Sequence, residues 1–168
     1  MSAFLDSLVA YLRMYHQPEP PPTAEQLEAW QQQRGWRLDE DLLFLYQQHD
    51  GALVFPRAEQ HYRFLPLEQM VRARVLLFGE DSDAHGASSW YALCEAVPGE
   101  HYAAIDVSRQ LDGRYPILEC SRRRPPGSPQ CRQLAWSLAD FIDRALHGRR
   151  HPYWCSRGWW LQRRPPRS

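Results

Sequence analysis

The segment from Thr23 to Gly51 constrains the fold most, because its residues mark the beginnings and ends of two consecutive short helices. Thr23 and Gln26 have the spacing of a capping box, in which each side chain accepts a hydrogen bond from the other residue's backbone N–H. Gly35 can take the left-handed conformation that ends a helix, and Asp39 is a good N-cap for the next one. The sequence therefore predicts two helices, with positive φ at Gly35 and Gly51. Alanine at either glycine is expected to cost on the order of 1 kcal/mol.

The chain after Gly51 reads mainly as strands separated by turns. Apolar or alternating runs predict five strands, at roughly 52–55, 61–65, 90–94, 102–107 and 115–120. Asp112-Gly113 favours a tight hairpin turn, because both central positions of such a turn take positive φ. A further helix is predicted between Pro66 and Gly79, and a closing helix begins at Ser137. This order indicates an α+β fold in one domain, a mainly antiparallel sheet with helices covering one face.

The two ends of the chain differ in composition from this central domain, residues 23–146. Residues 1–17 carry apolar side chains on one helical face and are predicted to form a helix packed on the domain. The alternative, a helix lying on a membrane surface, needs a basic polar face, and Arg13 is the only basic residue there. Residues 18–22 contain four prolines and predict a short stiff linker. Residues 147–168 are a tail rich in Arg and Trp, which we expect to pack on the domain.

Composition points to a protein of the cytoplasm. Apolar residues make up 43% of the 168 residues, enough for the core of one domain. The N-terminal segment lacks the basic flank and continuous apolar stretch of a secretion signal, and no apolar run of about eighteen residues predicts a membrane span. The four cysteines form no Cys-x-x-Cys pair, as in proteins with reduced thiols.

Charge is divided unevenly along the chain, although its formal net charge is zero. Residues 1–112 contain eight basic and seventeen acidic residues, a net charge of −9. The remaining residues contain twelve basic and three acidic ones, a net charge of +9. Every basic residue is arginine, whose flat fork of donors suits carboxylates and phosphates.

The acidic loop runs from Gly79 to Ser89. Within it, Asp81 to Gly86 resembles the start of a calcium-binding loop, with carboxylates at the first and third positions and glycine at the sixth. The twelfth position of such a loop is a bidentate Glu, but here it is Ala92. A solvated acidic loop is therefore the preferred interpretation.

His147, His151 and Cys155 are spaced four residues apart, which would place three zinc ligands on one helical face. Gly148 and Pro152 interrupt any such helix, and the sequence offers no fourth ligand. Motifs of hydrolases, zinc proteases and phosphate-binding loops are also absent. We therefore assign no catalytic residue, no cofactor and no metal.

The tail combines aromatic and basic residues, which could stack on and neutralise single-stranded nucleic acid. These residues are Tyr153, Trp154, Trp159 and Trp160, with Arg157, Arg163 and Arg164. No nucleic-acid-binding motif accompanies them, so packing of the tryptophans on the domain is the preferred interpretation. We therefore do not expect nucleic acid as a partner.

Three separated segments together resemble the SUKH superfamily, the Smi/Knr-type proteins. That family's pattern begins with a helix, a glycine, a Leu-Pro pair and a second helix ending in Asn-Gly. Here Trp30, Gly35 and Leu38 precede Asp39 in place of the proline, and Asp50 in place of the asparagine precedes Gly51. Both replacements are capping or turn residues, so the geometry is expected to persist.

The later segments of the resemblance are Gly99 to Asp106, a glycine followed by a strand ending in Ile-Asp, and Ala135 to Ile142, which contains Ser137. The resemblance spans residues 23–146 and rests on the order and spacing of its pieces. It implies a compact α+β domain without an established catalytic site. Many bacterial relatives resemble cytoplasmic immunity proteins that bind a cognate toxin, and fungal relatives resemble regulatory scaffolds of cell-wall synthesis.

The resemblance therefore implies a non-enzymatic protein-binding module, with a bacterial toxin as the expected partner and a regulatory scaffold as the alternative. If the toxin is a nuclease, its basic cleft would be covered by an acidic surface. Glu80, Asp81 and Asp83 on the acidic loop are the first candidates for contact, followed by Glu95 and Glu100. Asp81 and Asp83 lie between Gly79 and Gly86, where the chain is expected to turn through solvent, so their carboxylates are expected to stay ionised and to contribute little to folding.

Overall fold

An antiparallel sheet of seven strands, adjacent in the order of the sequence, organises the part of the chain that the structure describes. The structure is a computed structural model that describes residues 17–54, 61–97, 101–147 and 153–155, together with Ala10. The strands are β1 (Gln17–Pro18), β2 (Ala52–Val54), β3 (His61–Phe64), β4 (Trp90–Val97), β5 (His101–Asp106), β6 (Ile117–Ser121) and β7 (Gln133–Ala135). The helices are α1 (Ala24–Arg34), α2 (Glu40–Gln48), α3 (Ala73–Phe78) and α4 (Leu138–His147). The predicted α+β fold with an antiparallel sheet is confirmed.

The boundaries of α1 and α2 follow the predicted capping residues. Thr23 N–H donates to Gln26 Oε1 (2.7 Å) and Gln26 N–H donates to Thr23 Oγ1 (3.2 Å), which completes the capping box. Gly35 ends α1 with φ of 74°, and Gly51 follows α2 with φ of 86°. The positive φ predicted at both glycines is therefore confirmed.

The turn between β5 and β6 is the tight turn that Asp112-Gly113 predicts. Both residues have positive φ, 50° and 73°. Leu111 and Arg114 exchange backbone hydrogen bonds across them, at 2.8 and 2.9 Å. The turn brings Arg114 and Tyr115 to the beginning of α2.

The two faces of the sheet are covered by different elements. Neighbouring residues on one strand point to opposite faces, so Ile105 and Ala104 of β5 belong to two separate clusters of buried side chains. The cluster with Ile105 contains buried residues of α1, α2 and α4, whereas the cluster with Ala104 contains Ala73 and Leu77 of α3. The expectation that the helices cover one face is thus wrong for α3.

The helix predicted between Pro66 and Gly79 is divided in two. A single 3-10 turn at Leu67–Gln69 is followed by an extended break, and α3 begins only at Ala73. In this break the Val71 carbonyl accepts a hydrogen bond from Ala92 N–H (3.0 Å), and the next residue, Arg72, pairs with Tyr91. Pairing with β4 therefore replaces a continuous helix.

Two short edge strands were not predicted. Gln17–Pro18 pairs with Ala52 and Leu53, so the proline-rich segment begins as an edge strand, where a missing N–H is tolerated. The next residue, Glu19, exchanges backbone hydrogen bonds with Asp50 and Gly51. At the other edge, β7 pairs with β6 across an irregular register. Strands of two or three residues carry too little periodicity to be recognised in a sequence.

The ends of the chain are described only in part. The N-terminal helix predicted for residues 1–17 lies outside the described residues, apart from Ala10, which is helical, and the strand residue Gln17. In the tail, Tyr153 and Trp154 are buried, and Tyr153 N–H donates to the Tyr62 hydroxyl at 2.9 Å. Residues 156–168, with the other tail tryptophans and the three arginines singled out above, lie outside the described residues. Across the described ranges, no helix has the length and apolar character needed to cross a membrane.

Asp39 joins the start of α2 to the sheet and carries a first prediction. One carboxylate oxygen caps Leu42 N–H (2.9 Å) and the other accepts from Tyr115 N–H (2.8 Å). Burial raises the pKa of Asp39, and these two backbone hydrogen bonds oppose that rise. Asp39→Ala removes the cap and leaves a buried N–H without its acceptor, so we expect a loss of about 2 kcal/mol in the free energy of unfolding.

Urea denaturation measures this loss, and Thr23→Ala is the matched control because Thr23 is an exposed cap. The control is expected to lose only about 1 kcal/mol. Equal losses in the two variants would contradict a second role for Asp39.

Candidate partner-binding surface

Arg74 organises the acidic loop that follows α3. It lies on α3 with only 5% of its side chain exposed. Its guanidinium donates to Asp81 Oδ1 (2.5 Å), Asp83 Oδ1 (2.6 Å) and the Gly86 carbonyl (2.9 Å). One buried arginine thus holds three points of the loop, and the loop has a fixed shape rather than turning freely through solvent.

Asp81 is shared by two arginines. Arg74 binds one carboxylate oxygen, and Arg72 donates to the other at 2.5 Å. The hydrogen bond from Arg74, together with the charges of both arginines, lowers the pKa of Asp81. The carboxylate therefore stays ionised at neutral pH, with its charge offset within the protein.

The rest of the loop presents acidic groups outward. Asp83 has 98% of its side chain exposed, although one of its oxygens binds Arg74. Glu80, with 63% of its side chain exposed, contacts His85 Nε2 at 2.6 Å. The His85 ring stacks on Phe78, with 4.3 Å between ring centroids. The outer rim of the loop is thus acidic, on an ordered base.

These contacts correct one expectation. The carboxylate of Asp81 is not free in solvent, so its replacement is expected to affect folding. They also argue against the calcium alternative, because both oxygens of Asp81 and one oxygen of Asp83 bind guanidinium groups. The arginines were not singled out from the sequence, although a signal was present. Arg72 and Arg74 are two residues apart, as are Asp81 and Asp83 nine residues later, so the charges match in pairs.

A groove of about 290 Å³ lies beside the loop. Its walls are the end of α1, the segment around the start of α3, the loop and β4, through the side chains of Gln33, Arg34, Val71, Arg72, Val75, Asp81 and Tyr91. Asp81 therefore belongs both to the loop and to the groove. Basic, acidic and apolar side chains therefore meet at this concave surface.

Aromatic side chains form the support behind this groove. The Trp36 ring packs against Trp30 at 5.1 Å, Tyr91 at 5.0 Å and Tyr115 at 5.7 Å between ring centroids. The guanidinium of Arg34 lies over the Trp30 ring, 5.8 Å from its centroid. Trp30 and Tyr91 are buried, so the groove rests on a rigid part of the larger core.

The structure does not bring Glu95 to the loop. Glu95 accepts hydrogen bonds from Arg63 Nε (3.0 Å) and from the Tyr102 hydroxyl (3.3 Å). Burial, and then the charge of Glu95, raises the pKa of Tyr102 to about 12. Glu95 lies five residues along β4 from Trp90, roughly 16 Å at the usual rise per residue, and the loop joins β4 at its Trp90 end. Glu100 lies outside the described residues.

The other residues on which the family resemblance rests pack in the core or form turns and caps. Trp30 and Leu38 are buried, and Leu38 N–H donates to Gln31 Oε1 at 3.0 Å. Asp106 accepts from the hydroxyls of Ser89 and Ser108, at 2.8 and 2.6 Å. Ser137 Oγ caps Asp140 N–H at the start of α4. These residues hold the frame on which the surface is built.

Metal ligands are not grouped in the described part of the chain: no three His, Cys, Asp or Glu side chains there come together as a metal site requires. His147 ends α4. His151 and the side chain of Cys155 lie outside what the structure describes, so the geometry of His147, His151 and Cys155 does not bear on the zinc alternative.

Most of the chain is similar in sequence to known proteins. The chain is 28% identical over 119 residues to Immunity protein YokJ of Bacillus subtilis (strain 168), an alignment that covers 70% of each protein. A sequence profile of the SMI1 / KNR4 family (SUKH-1) matches residues 21–144, well over half of the chain and nearly the range over which the sequence resembles that family. The protein therefore belongs to the SMI1 / KNR4 family (SUKH-1).

Proposed function

We propose that this protein is a cytoplasmic, non-enzymatic immunity protein that binds a cognate bacterial toxin and occludes its active site. The observation that carries this proposal is the similarity to an immunity protein across 70% of both chains, within the family match. Occlusion requires a rigid surface that is complementary to the toxin, and it requires no catalytic group.

The candidate surface is the loop with its neighbouring groove. Its outer carboxylates, Glu80 and Asp83, would meet basic groups of the toxin and increase the rate and selectivity of association. Asp81 would contribute by shaping the surface, because both of its oxygens are held by arginines. Glu95 and Glu100 remain secondary candidates, since the first lies away from the loop along β4.

The test is recovery of the tagged full-length protein from its native host, with identification of what copurifies. A toxin bound at fixed stoichiometry, whose toxicity the protein suppresses, is the expected result. Recovery of a housekeeping enzyme of cell-wall synthesis instead would favour the alternative role of a regulatory scaffold. Nucleic acid recovered without any protein would overturn the proposal and favour binding through the basic tail.

Asp83→Asn is expected to weaken toxin binding chiefly at low salt, with little change in melting temperature. Asp83 is fully solvated on its outer side, and exposed charges act on association mainly when they are not screened. Asp81→Asn is the matched variant. It is expected to lower the melting temperature more than Asp83→Asn does, because Asp81 is only partly exposed and binds both Arg72 and the buried Arg74, whereas the almost fully exposed Asp83 binds Arg74 alone.

Calorimetry gives both melting temperatures, and titration at two salt concentrations gives the affinities. If Asp83→Asn binds the toxin as tightly as the unchanged protein at low salt, the acidic rim is not part of the contact.

A further inference from the structure

We propose that the groove beside the acidic loop binds a glutamate or aspartate side chain of the protein partner, with Arg34 as its principal ligand. This inference rests on the proposed function in one respect, namely that the occupant belongs to a protein. It adds a second contact to that function. The acidic rim would bind basic groups of the partner, and the groove, which is basic, would bind an acidic side chain of the same partner.

The groove has the size to hold one side chain and is small for a cofactor. Its volume of about 290 Å³ lies at the lower end of small-ligand pockets, which are roughly 300–1,000 Å³. Val71, Val75 and the ring of Tyr91 give it apolar walls. Such walls suit the methylene groups of a side chain whose polar end reaches the arginines.

The charge around the groove selects an anion. The guanidinium groups of Arg34 and Arg72 line it, and that of Arg74 binds Asp81 of its wall. The two loop carboxylates, Asp81 and Asp83, are bound to Arg72 and Arg74. One positive charge, that of Arg34, is therefore left without a carboxylate among the described residues.

Arg34 itself is built to receive a ligand. Its Nε is enclosed by the protein and has no hydrogen-bond partner within the described ranges, so hydrogen bonds to a ligand in the groove fall to the terminal nitrogens of the guanidinium. A charged group left unpaired in this way is a cost that folded proteins seldom leave uncompensated. Its guanidinium is held over the buried Trp30 ring, so its position is fixed before any ligand arrives. A planar fork of donors fixed in this way matches a carboxylate, which can accept two parallel hydrogen bonds.

An ion pair separates the groove from the acidic rim. Arg72 is committed to Asp81 at 2.5 Å, and this ion pair forms the border between the two surfaces. A partner that presents a basic residue and an acidic residue side by side would satisfy both. A partner with basic residues alone would leave Arg34 unpaired and desolvated, which is unfavourable, so the groove adds selectivity to the contact.

The first test needs no partner and uses the full chain. The probe is N-acetyl-glutamate amide, titrated while the Arg34 Nε–H and Trp30 indole N–H signals are followed by NMR. N-acetyl-glutamine amide is the matched neutral control, and inorganic phosphate is a second anion. We expect a saturable shift of both signals with the glutamate probe and no saturable shift with the glutamine probe.

Each other outcome overturns the inference. An absence of saturable shift with the glutamate probe shows that the groove has no carboxylate site. Equal shifts with glutamate and glutamine assign the site to the amide groups and not to the charge. Tighter binding of phosphate than of glutamate makes the groove a site for free phosphate, which contradicts a partner's side chain.

The second test uses the protein partner recovered from the host. Arg34→Gln is expected to lower the affinity by on the order of tenfold, as for loss of one charge-assisted hydrogen-bonded pair. Arg37→Gln is the matched control, since Arg37 lies three residues away, is exposed and pairs with Glu28 instead of lining the groove. Equal effects of the two variants overturn the inference. Failure to recover a toxin would count against the proposed function, whereas the probe titration would still decide whether the groove binds a carboxylate.

Discussion

Glu119→Gln is expected to lower the free energy of unfolding by about 3 kcal/mol at pH 7, a loss typical of breaking a buried charged pair. Glu119 lies on β6 with 1% of its side chain exposed. One of its oxygens accepts from the guanidiniums of Arg124 (2.8 Å) and Arg132 (2.6 Å), and His101 Nδ1 lies 3.6 Å from the other. A glutamine could keep its carbonyl oxygen towards both guanidiniums, but it would remove the negative charge that offsets their positive charges in this buried place.

The loss of unfolding free energy in Glu119→Gln is expected to depend on pH, and this dependence tests the charge of Glu119 more directly than the size of the loss. Burial raises the pKa of Glu119, but His101, Arg132 and Arg124 outweigh burial and lower the pKa to about 2. Its value in the unfolded chain is near 4.5. A carboxylate with a lowered pKa stabilises the folded state above the unfolded pKa and loses this effect as pH falls towards the folded pKa. The difference of about 2.5 units corresponds to roughly 3 kcal/mol.

Urea denaturation gives the free energy of unfolding of the unchanged protein and of Glu119→Gln at a series of pH values between neutral pH and pH 2.5. The difference between their free energies of unfolding should be constant above about pH 5.5, should become smaller below pH 4.5 and should be small at the lowest pH. Glu68→Gln is the control, because the side chain of Glu68 is exposed. A gap that does not change with pH would show that the variant acts through packing and not through the charge of Glu119.

Ion pairs between distant parts of the chain offset some of the charge division along the sequence. Arg114 of the basic part binds Glu40 and Asp41 of the acidic part, more than seventy residues away in the chain. Arg132 binds Glu119 and also donates to the Trp154 carbonyl, which ties the tail to the sheet. Net charge counted over a stretch of sequence cannot include such pairs, because the fold decides which charges meet.

Local signals predicted the local structure well. Thr23, Gly35 and Asp39 mark helix ends through hydrogen bonds within three or four residues, so the sequence contains the whole cause. Asp112-Gly113 determines its turn in the same way. The break before α3 was missed because its cause is pairing with Tyr91 and Ala92, about twenty residues away. A periodic run of apolar residues cannot reveal a competing strand.

The candidate surface was predicted only in part, for the same reason. The position of Asp81 and Asp83 on a loop followed from the flanking glycines. Their partners did not, because a buried arginine is rare and Arg74 reads as a residue on the exposed side of a helix. The groove depends on the end of α1 meeting β4 and the start of α3, three elements that are distant in sequence. Sequence reasoning therefore found the acidic rim and missed the basic groove.

Gly51→Ala is expected to lower the free energy of unfolding by about 3 kcal/mol, well above the 1 kcal/mol expected from the sequence. A Cβ atom at Gly51 would lie 2.8 Å from the Phe64 carbonyl oxygen and 3.0 Å from Pro66 N. These are backbone atoms, held in place because Leu67 N–H donates to the side chain of Asp50 at 2.6 Å. The steric overlap adds to the cost of positive φ.

Gly35 shows the effect of positive φ without steric overlap, because it has a similar φ but a Cβ atom there would meet nothing within 4 Å. Gly35→Ala is expected to lose only about 1 kcal/mol, and Gly35→Asn less, because asparagine tolerates the left-handed conformation. At Gly51, asparagine is expected to be as damaging as alanine, because the Cβ atom causes the overlap. Urea denaturation of the four variants decides the matter. If asparagine restores stability at Gly51 as it does at Gly35, then φ alone explains the glycine, and the close contact of Gly51 with Phe64 and Pro66 does not limit this turn.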